Sequence, residues 1–390
     1  MASSDGLRAP EMSYARWVRR ELGRVRSSQK RIVTLFDSSV PEPVDLLRET
    51  ITAGFSTPIT SRYTSAFVDG NPYVIETLAR RYGVSRAQVL CTTGATGALS
   101  LVYRALMNPS ERVLIEQPGF DLFHGLARSY GLEVDYFARR GPRFVIDPEE
   151  VAARIRPETR LIIITNLHNP SGMTVDEPVL QALAEIAEFN NLYVVVDEVY
   201  GDYADAAVRP RAAAQISPRL ISVNSLTKIY GLSTLRCGWI VAAPEVLAPI
   251  RALSEEVEFG VSNLAHAVAA LVLERSDQFD GYRDEIIDRC RPIIEAYWAR
   301  WRDDELIEGE LPDFGCVSFP KLTGIDDTEE FSIWLADRSG VIVAPGEFFG
   351  ALGHIRIGHA QLPGDLEQGL EELTAGLKIY RDVTPERRKA

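Results

Sequence analysis

The sequence predicts an α/β protein: a large domain on a mostly parallel sheet and a smaller α+β domain, with a cleft between them. Three observations predict this. At 390 residues the chain exceeds what one hydrophobic core usually fills, so two cores are expected. From about residue 72, short β-branched apolar runs alternate with segments of helical length, the pattern of parallel strands covered on both faces. After about residue 285 the order changes to a long helix followed by mixed short strands and helices.

The elements follow in order. Residues 14–31 carry seven Arg or Lys, but Tyr14, Trp17, Val18, Leu22 and Val25 recur between them at helical spacing. That spacing describes a solvated amphipathic helix rather than a nucleic-acid arm. Residues 1–45 are expected to form an arm and part of the small domain. The large domain, 46–285, opens on the helical patterns "YVIETLARRY" and "GALSLVYRAL". Strands are expected at "RVLIEQ", "LEVDYF", "RLIIITN", "LYVVVDE", "RLISVNS" and "GWIVAA", with helices such as "EPVLQALAEIAEFN" between them. The small domain, 286–390, is expected to hold a long helix, "CVSFP", a helix at "TEEFSIWLADRSG", strands "VIVAP" and "HIRIG", and a last helix near 363–380.

Composition narrows the partners. Hydrophobic residues at 46% and charged residues at 25% describe a globular protein. A net charge of −13 repels phosphate backbones and anionic bilayers, which leaves small molecules as partners rather than nucleic acid or membrane. Cys91, Cys237, Cys290 and Cys316 form no C-x-x-C pair and the five histidines are dispersed, so reduced cytoplasmic thiols are expected and no metal site. "MASSDGLRAPEM" has no apolar signal core, and no stretch approaches the roughly 18 apolar residues of a membrane span. A cytoplasmic protein is expected.

In open α/β sheets, ligands bind beyond the carboxyl ends of the strands. The runs end there on unusual groups: Asn166, His168 and Asn169 after "RLIIIT", Asp197, Glu198 and Tyr200 after "LYVVV", Ser225 and Lys228 after "RLISVN". "TGATGAL" places small residues at a helix start, where free N–H groups and the positive dipole end favour a phosphate. Ser225, Thr96 and Arg236 would add hydroxyls and a bidentate cation. Asp197, at the edge of a low-dielectric sheet, needs a cation, and a protonated pyridine nitrogen is one such partner. The bland reading makes it a helix cap.

These residues resemble the class I/II pyridoxal-phosphate-dependent aminotransferases, with the fold-type-I architecture of aspartate aminotransferase, from about residue 60 to residue 380. "NLHNPSG" resembles the family's Asn-Pro-(Ser/Thr)-Gly, "DEVY" its Asp-x-x-Tyr, "SLTKIYGLSTLRCGW" its Ser-x-x-Lys followed by Arg, and "HIRIG" its late carboxylate-binding arginine. The resemblance implies a pyridoxal 5'-phosphate enzyme in which Lys228 forms the Schiff base and Asp197 holds the pyridine nitrogen protonated. It implies that Asn169 and Tyr200 bond the phenolic oxygen, and that Phe120 stacks on the ring. Ala95, Thr96, Ser225 and Arg236 would hold the phosphate. Arg356 would clamp the substrate α-carboxylate, with Asn169 and Ser39 beside the substrate. A homodimer with shared active sites is implied, with Tyr63 reaching the neighbouring subunit's phosphate. His168 lines the pocket or satisfies a loop, and Phe348 and Phe349 either belong to a family segment or pack the small domain.

Transamination between an amino acid and a 2-oxo acid is the activity this resemblance implies. An alternative keeps the cofactor but acts as a lyase or cyclase on a β-substituted amino acid, because "NLHNPSG", "KIYGLSTLRCGW" and "VIVAPGEFFG" also resemble capreomycidine-synthase-type enzymes. A non-enzymatic binding shell would not need Lys228, Asp197, Asn169, Arg236 and Arg356 together. No arginine is placed to read a side-chain carboxylate, so a strict aspartate or glutamate preference is not expected.

Overall fold

The structure, a computed structural model, describes residues 13–27, 31–55, 59–67, 69–205, 207–209, 211–258 and 260–382. Its centre is a sheet of seven strands: β1 (Val89–Thr93), β2 (Arg112–Gln117), β3 (Glu133–Ala138), β4 (Thr159–Thr165), β5 (Tyr193–Asp197), β6 (Leu220–Ser225) and β7 (Cys237–Val241). Their spatial order is β1-β7-β6-β5-β4-β2-β3. Every pairing is parallel except those made by β7, which runs antiparallel to both β1 and β6. The runs are apolar without interruption because successive side chains enter different cores. Leu161 and Ile163 pack with Leu99, Val102 and Phe123 on one face. Ile162 and Ile164 pack with Leu180 and Leu183 of helix Glu177–Phe189 on the other.

Helix starts carry local reasons. Asn71 caps helix Pro72–Tyr82: its side-chain oxygen accepts from the Tyr73 N–H at 3.0 Å, and Pro72 has no N–H to satisfy. Helix Gly94–Leu106 follows β1 without a loop, so its first N–H groups open at the carboxyl edge of the sheet.

The carboxy-terminal part has its own core. Helix Ser276–Asp303 packs against the final helix, Pro363–Asp382, and strand Ile355–Gly358 pairs antiparallel with Val317–Ser318 and with Ala344–Pro345. The long helix begins at Ser276, so the boundary expected at 285–286 falls inside one continuous element. Val33–Thr34 pairs in parallel with Val341–Ile342, and Leu35 and Val40 enter the same core as Leu366, Leu370 and Leu373. The amino-terminal segment therefore packs with residues more than three hundred positions later.

The first helix, Tyr14–Ser27, turns Tyr14 and Trp17 inward. Trp17 is 1% exposed and packs against Phe36 and Phe348, a burial worth roughly 1.5–3 kcal/mol or more for a ring of this size. The buried face differs from the apolar spacing: Leu22 is exposed, while Glu21 is buried between Arg20 and Arg24. The two arginines neutralise a carboxylate that would otherwise stay in water.

Candidate active site

Sheet topology explains why Lys228 and Arg236 come together. β6 leaves the sheet at Ser225, the short helix Leu226–Ile229 carries Lys228, and β7 re-enters antiparallel at Cys237. Both residues thus lie on one rim, with the ends of β1, β4 and β5. Arg236 takes the left-handed conformation, φ 46°, and its Nη2 lies 3.5 Å from the Thr93 carbonyl. Beside it the backbone of Gly94, φ +72°, comes so close to Gly238 that no side chain fits between them. A Cβ on Gly238 would lie 2.4 Å from the Gly94 carbonyl carbon and 2.8 Å from the Ala95 nitrogen. The result is a cradle walled by backbone, with the N–H groups of Ala95 and Thr96 at a helix start, Ser225 at 1% exposure, and a guanidinium.

Lys228 Nζ donates to Ser38 Oγ at 2.8 Å, and Ser38 also bonds the Tyr200 hydroxyl. Tyr203 donates to the Lys228 carbonyl at 2.7 Å and accepts from the Val40 N–H at 3.1 Å, which ties the lysine's backbone to the amino-terminal segment. Burial, aided by the Arg356 charge, pulls the Lys228 amine down to about 8. Asp197 is 5% exposed and accepts from the Val199 N–H at 3.2 Å. Burial, with the Glu116 charge adding to it, pushes its carboxyl up to about 7. A buried lysine and a buried aspartate whose proton affinities approach each other near neutrality mark a functional site. Tyr200 is buried and its hydroxyl is raised above the ordinary range by desolvation.

Arg356 lies on strand Ile355–Gly358 and is 1% exposed. Its Nη1 donates to Asn169 Oδ1 at 2.9 Å, and its Nη2 donates to the Tyr14 hydroxyl at 2.5 Å and the Phe36 carbonyl at 3.0 Å. The guanidinium is held between the rings of Tyr14 and Phe349, 5.1 and 5.0 Å from their centres. Its Nε has no partner among the described residues. Phe120 is half-buried at the start of helix Asp121–Ser129 and meets Tyr14 edge-on, 6.1 Å between centres.

Most of the expected residues converge: Lys228, Asp197, Asn169, Tyr200, Ser225, Arg236, Ala95 and Thr96 follow strand ends on one rim, Arg356 reaches Asn169 there from the carboxy-terminal sheet, and Phe120 lies against Tyr14. Ser39 is half-buried, while it is its neighbour Ser38 that meets the lysine. Tyr63 is 45% exposed, and its N–H bonds the Thr60 carbonyl at 2.9 Å. His168 is buried with both ring nitrogens engaged, Nε2 on the Pro118 carbonyl at 2.9 Å and Nδ1 on Ser171 Oγ at 2.6 Å, so it ties the loop together. Phe348 and Phe349 pack under Arg356 and Trp17. Nothing local in the sequence marks Tyr14 and Tyr203 as site residues, because only tertiary folding brings them to positions 356 and 228.

The family profile of class I and II aminotransferases matches residues 59–373. The chain belongs to that family. It is 27% identical to the arginine–pyruvate transaminase of Pseudomonas aeruginosa over 91% of each chain, and 28% identical to the capreomycidine synthase of Streptomyces vinaceus over 75% of each. A PLP-dependent aminotransferase from Streptococcus suis superimposes with a TM-score of 0.83 at 25% identity, covering 97% of this chain and all of that one. The protein is thus a fold-type-I, pyridoxal-phosphate-dependent aminotransferase, an enzyme that passes an amino group between an amino acid and a 2-oxo acid. No described helix is long and apolar enough to cross a membrane.

The residues present fit pyridoxal phosphate on their own chemistry. The Gly94–Gly238 cradle admits no Cβ and Arg236 flanks it, and among the described residues Asp197 is a buried carboxylate without a bonded cation and the Arg356 Nε–H has no partner.

Proposed function

We propose that transamination runs at the rim where Lys228, Asp197, Asn169 and Arg356 converge, and the carrying observation is that convergence: Lys228 Nζ held on Ser38 at 2.8 Å, Asp197 buried at the end of β5, and Arg356 bonded to Asn169 at 2.9 Å, with burial lowering the lysine and raising the aspartate. When bound, pyridoxal phosphate supplies the electron sink for the pair left on an amino acid's Cα. Asp197 sets its charge against the ring nitrogen. Asn169 and Tyr200 bond the phenolic oxygen, and Phe120 covers the ring face. Ser225, Arg236 and the N–H groups of Ala95 and Thr96 hold the phosphate. Arg356 takes the α-carboxylate with its unpartnered N–H groups, and Ser39 borders the substrate. Lys228 Nζ removes the proton from the substrate Cα, and Ser38 and Tyr200 aim it.

Two acids indicate the substrate class. Asp121 accepts the Tyr14 N–H at 2.6 Å, and burial pushes its carboxyl up to about 6. Asp37 keeps an exposed surface at the rim, yet the protein crowded around it still raises its carboxyl. Both act on Tyr14 and Arg356, and neither forms an ion pair among the described residues. With Arg356 spent on the α-carboxylate, a cationic side chain complements them. The arginine–pyruvate relative supports that preference.

We assign residues 46–285 to the cofactor-binding domain, 286–390 with part of 1–45 to the small domain, and Tyr63 to the partner subunit's phosphate in a homodimer. The four cysteines are free and buried, which suits a reducing cytoplasm. Borohydride reduction of the loaded enzyme followed by peptide mapping should mark Lys228, and Lys228→Ala should abolish turnover. An unmarked Lys228 would refute the assignment. A panel of amino acids, watched through the cofactor's visible spectrum, should convert fastest with basic side chains; equal rates with acidic ones would refute the substrate class. The capreomycidine synthase relative supports a second reading, elimination or cyclisation of a β-substituted amino acid. Accumulation of the pyridoxamine form without a β-leaving group decides for transamination.

A further inference from the structure

A buried polar chain lies behind the site. Glu116, near the end of β2, is 1% exposed. One of its carboxylate oxygens accepts from the Thr165 N–H at 2.8 Å and the Thr165 hydroxyl at 2.6 Å, and the other accepts from Arg139 at 2.7 Å. Arg139, 5% exposed, also donates to the Thr165 carbonyl at 2.9 Å. With its own O–H donating to Glu116, the Thr165 hydroxyl accepts from the Asn169 N–H at 2.9 Å. Asn169 Oδ1 then accepts from Arg356. On its other side Thr165 lies opposite Asp197 in the sheet register, and the Asn166 N–H bonds the Asp197 carbonyl at 3.0 Å.

The direction of this chain depends on its first member. An ionised carboxylate can only accept, so the Thr165 hydroxyl has one way to point and its lone pairs face Asn169. Structural economy does not account for the arrangement. A buried carboxylate–guanidinium pair is often replaceable by apolar groups without loss of stability, so its presence at the back of the site calls for another reason. The Glu116 charge also reaches Asp197 and favours its protonated form, second only to burial among the effects that raise it.

We propose that Glu116, locked by Arg139, is a positioning residue of the active site: it fixes the Thr165 hydroxyl and, through it, the Asn169 backbone, so that the Asn169 side chain keeps one geometry between Arg356 and the cofactor's phenolic oxygen. This inference rests on the role given to Asn169 above. If Asn169 loosened, its side-chain N–H would leave the phenolic oxygen, which would become a stronger base, and the chromophore would keep its proton to higher pH.

The test uses Thr165→Val in the loaded holoenzyme, which removes the hydroxyl but keeps the Glu116–Arg139 pair, and Thr165→Ser, which restores the hydroxyl. For Thr165→Val the pH midpoint of the visible absorbance should rise by about half to one unit, and KM for the amino acid should rise about five- to tenfold. Thr165→Ser should return both towards wild type. A wild-type midpoint and KM in Thr165→Val would overturn the proposal, as would the same shift in Thr165→Ser. Should Thr165→Val fail to fold, the double variant Glu116→Met with Arg139→Met, which removes the acceptor of the Thr165 hydroxyl together with its cation, carries the same expectation and the same refutation. Failure of the unmutated protein to take up the cofactor would instead strike the reading of the site itself.

Discussion

A single methyl group tests the phosphate cradle. Gly238 sits on β7, paired with Thr92 of β1 and Ser225 of β6, so sheet bonds on both sides fix its backbone. In Gly238→Ala the new Cβ would lie 2.4 Å from the carbonyl carbon of Gly94, 2.6 Å from its Cα and 2.8 Å from the nitrogen of Ala95. All three are backbone atoms, and no rotamer change relieves them. Ordinary contact begins at 3.4 Å, so the Gly94–Ala95 turn has to retreat by about 1 Å in a close-packed interior. That retreat moves the Ala95 N–H, one of the free donors of the helix start. Overpacking of this kind costs about 1–3 kcal/mol; where it falls on the bound state, affinity for pyridoxal phosphate drops roughly 5- to 150-fold. Titration of the apoenzyme with pyridoxal phosphate, read by visible absorbance, measures the loss. Gly125→Ala is the control, because a Cβ there meets nothing within 4 Å and affinity should stay at the wild-type value. Wild-type affinity in Gly238→Ala would refute the location of the cradle.

Further predictions concern charge, clamp and core. Burial raises Asp197 from 3.8 to about 7, so in the apoprotein its contribution to stability is full below about pH 4 and is lost as pH rises through 7. That interval corresponds to about 4 kcal/mol at full ionisation, so apo Asp197→Asn should melt several degrees above wild type at pH 8, with the gap closing below pH 4, while turnover of the loaded variant falls severely; identical melts at pH 8 would refute the buried, unpaired carboxylate. Arg356→Lys cannot reproduce the forked contacts to Asn169, Tyr14 and Phe36, and KM for the amino acid should rise roughly 10- to 150-fold in steady-state assays, as expected for about 1.5–3 kcal/mol of charge-assisted bonding. Trp17→Ala should cost about 3–5 kcal/mol in denaturant unfolding, because its ring is 1% exposed and packs on Tyr14, Phe36 and Phe348.

What could be read from the chain was whatever physics writes locally. β-branched runs and the helices between them gave the sheet, and polar residues at run ends gave Asp197, Tyr200, Ser225 and Lys228, because a strand's carboxyl end lies next to it in sequence. Ser225 and Arg236 could be grouped around one phosphate from their chemistry, but the antiparallel return of β7 that brings Arg236 to the rim of Lys228 is announced by no spacing. Tyr14 and Arg356 stand 342 residues apart, and nothing in "EMSYARW" distinguishes a tyrosine that touches a guanidinium from one that packs. Leu22 and Glu21 exchanged their expected places because two flanking arginines made burial of the carboxylate tolerable.

Glu116 carries no local mark of its place in the fold. A glutamate near the end of "RVLIEQ" reads as the point where a strand meets water. In the fold it is covered, and among the described residues the cation paired with it is Arg139, just beyond the end of β3. An ionised group is retained in such surroundings when its direction of hydrogen bonding is needed, since an apolar residue would fill the same volume without the desolvation cost. The acceptor-only oxygen of Glu116 fixes the Thr165 hydroxyl, and that hydroxyl supports Asn169. The motif residue could therefore be recognised in the sequence, while the residue that orients it could be found only by asking where each buried proton points.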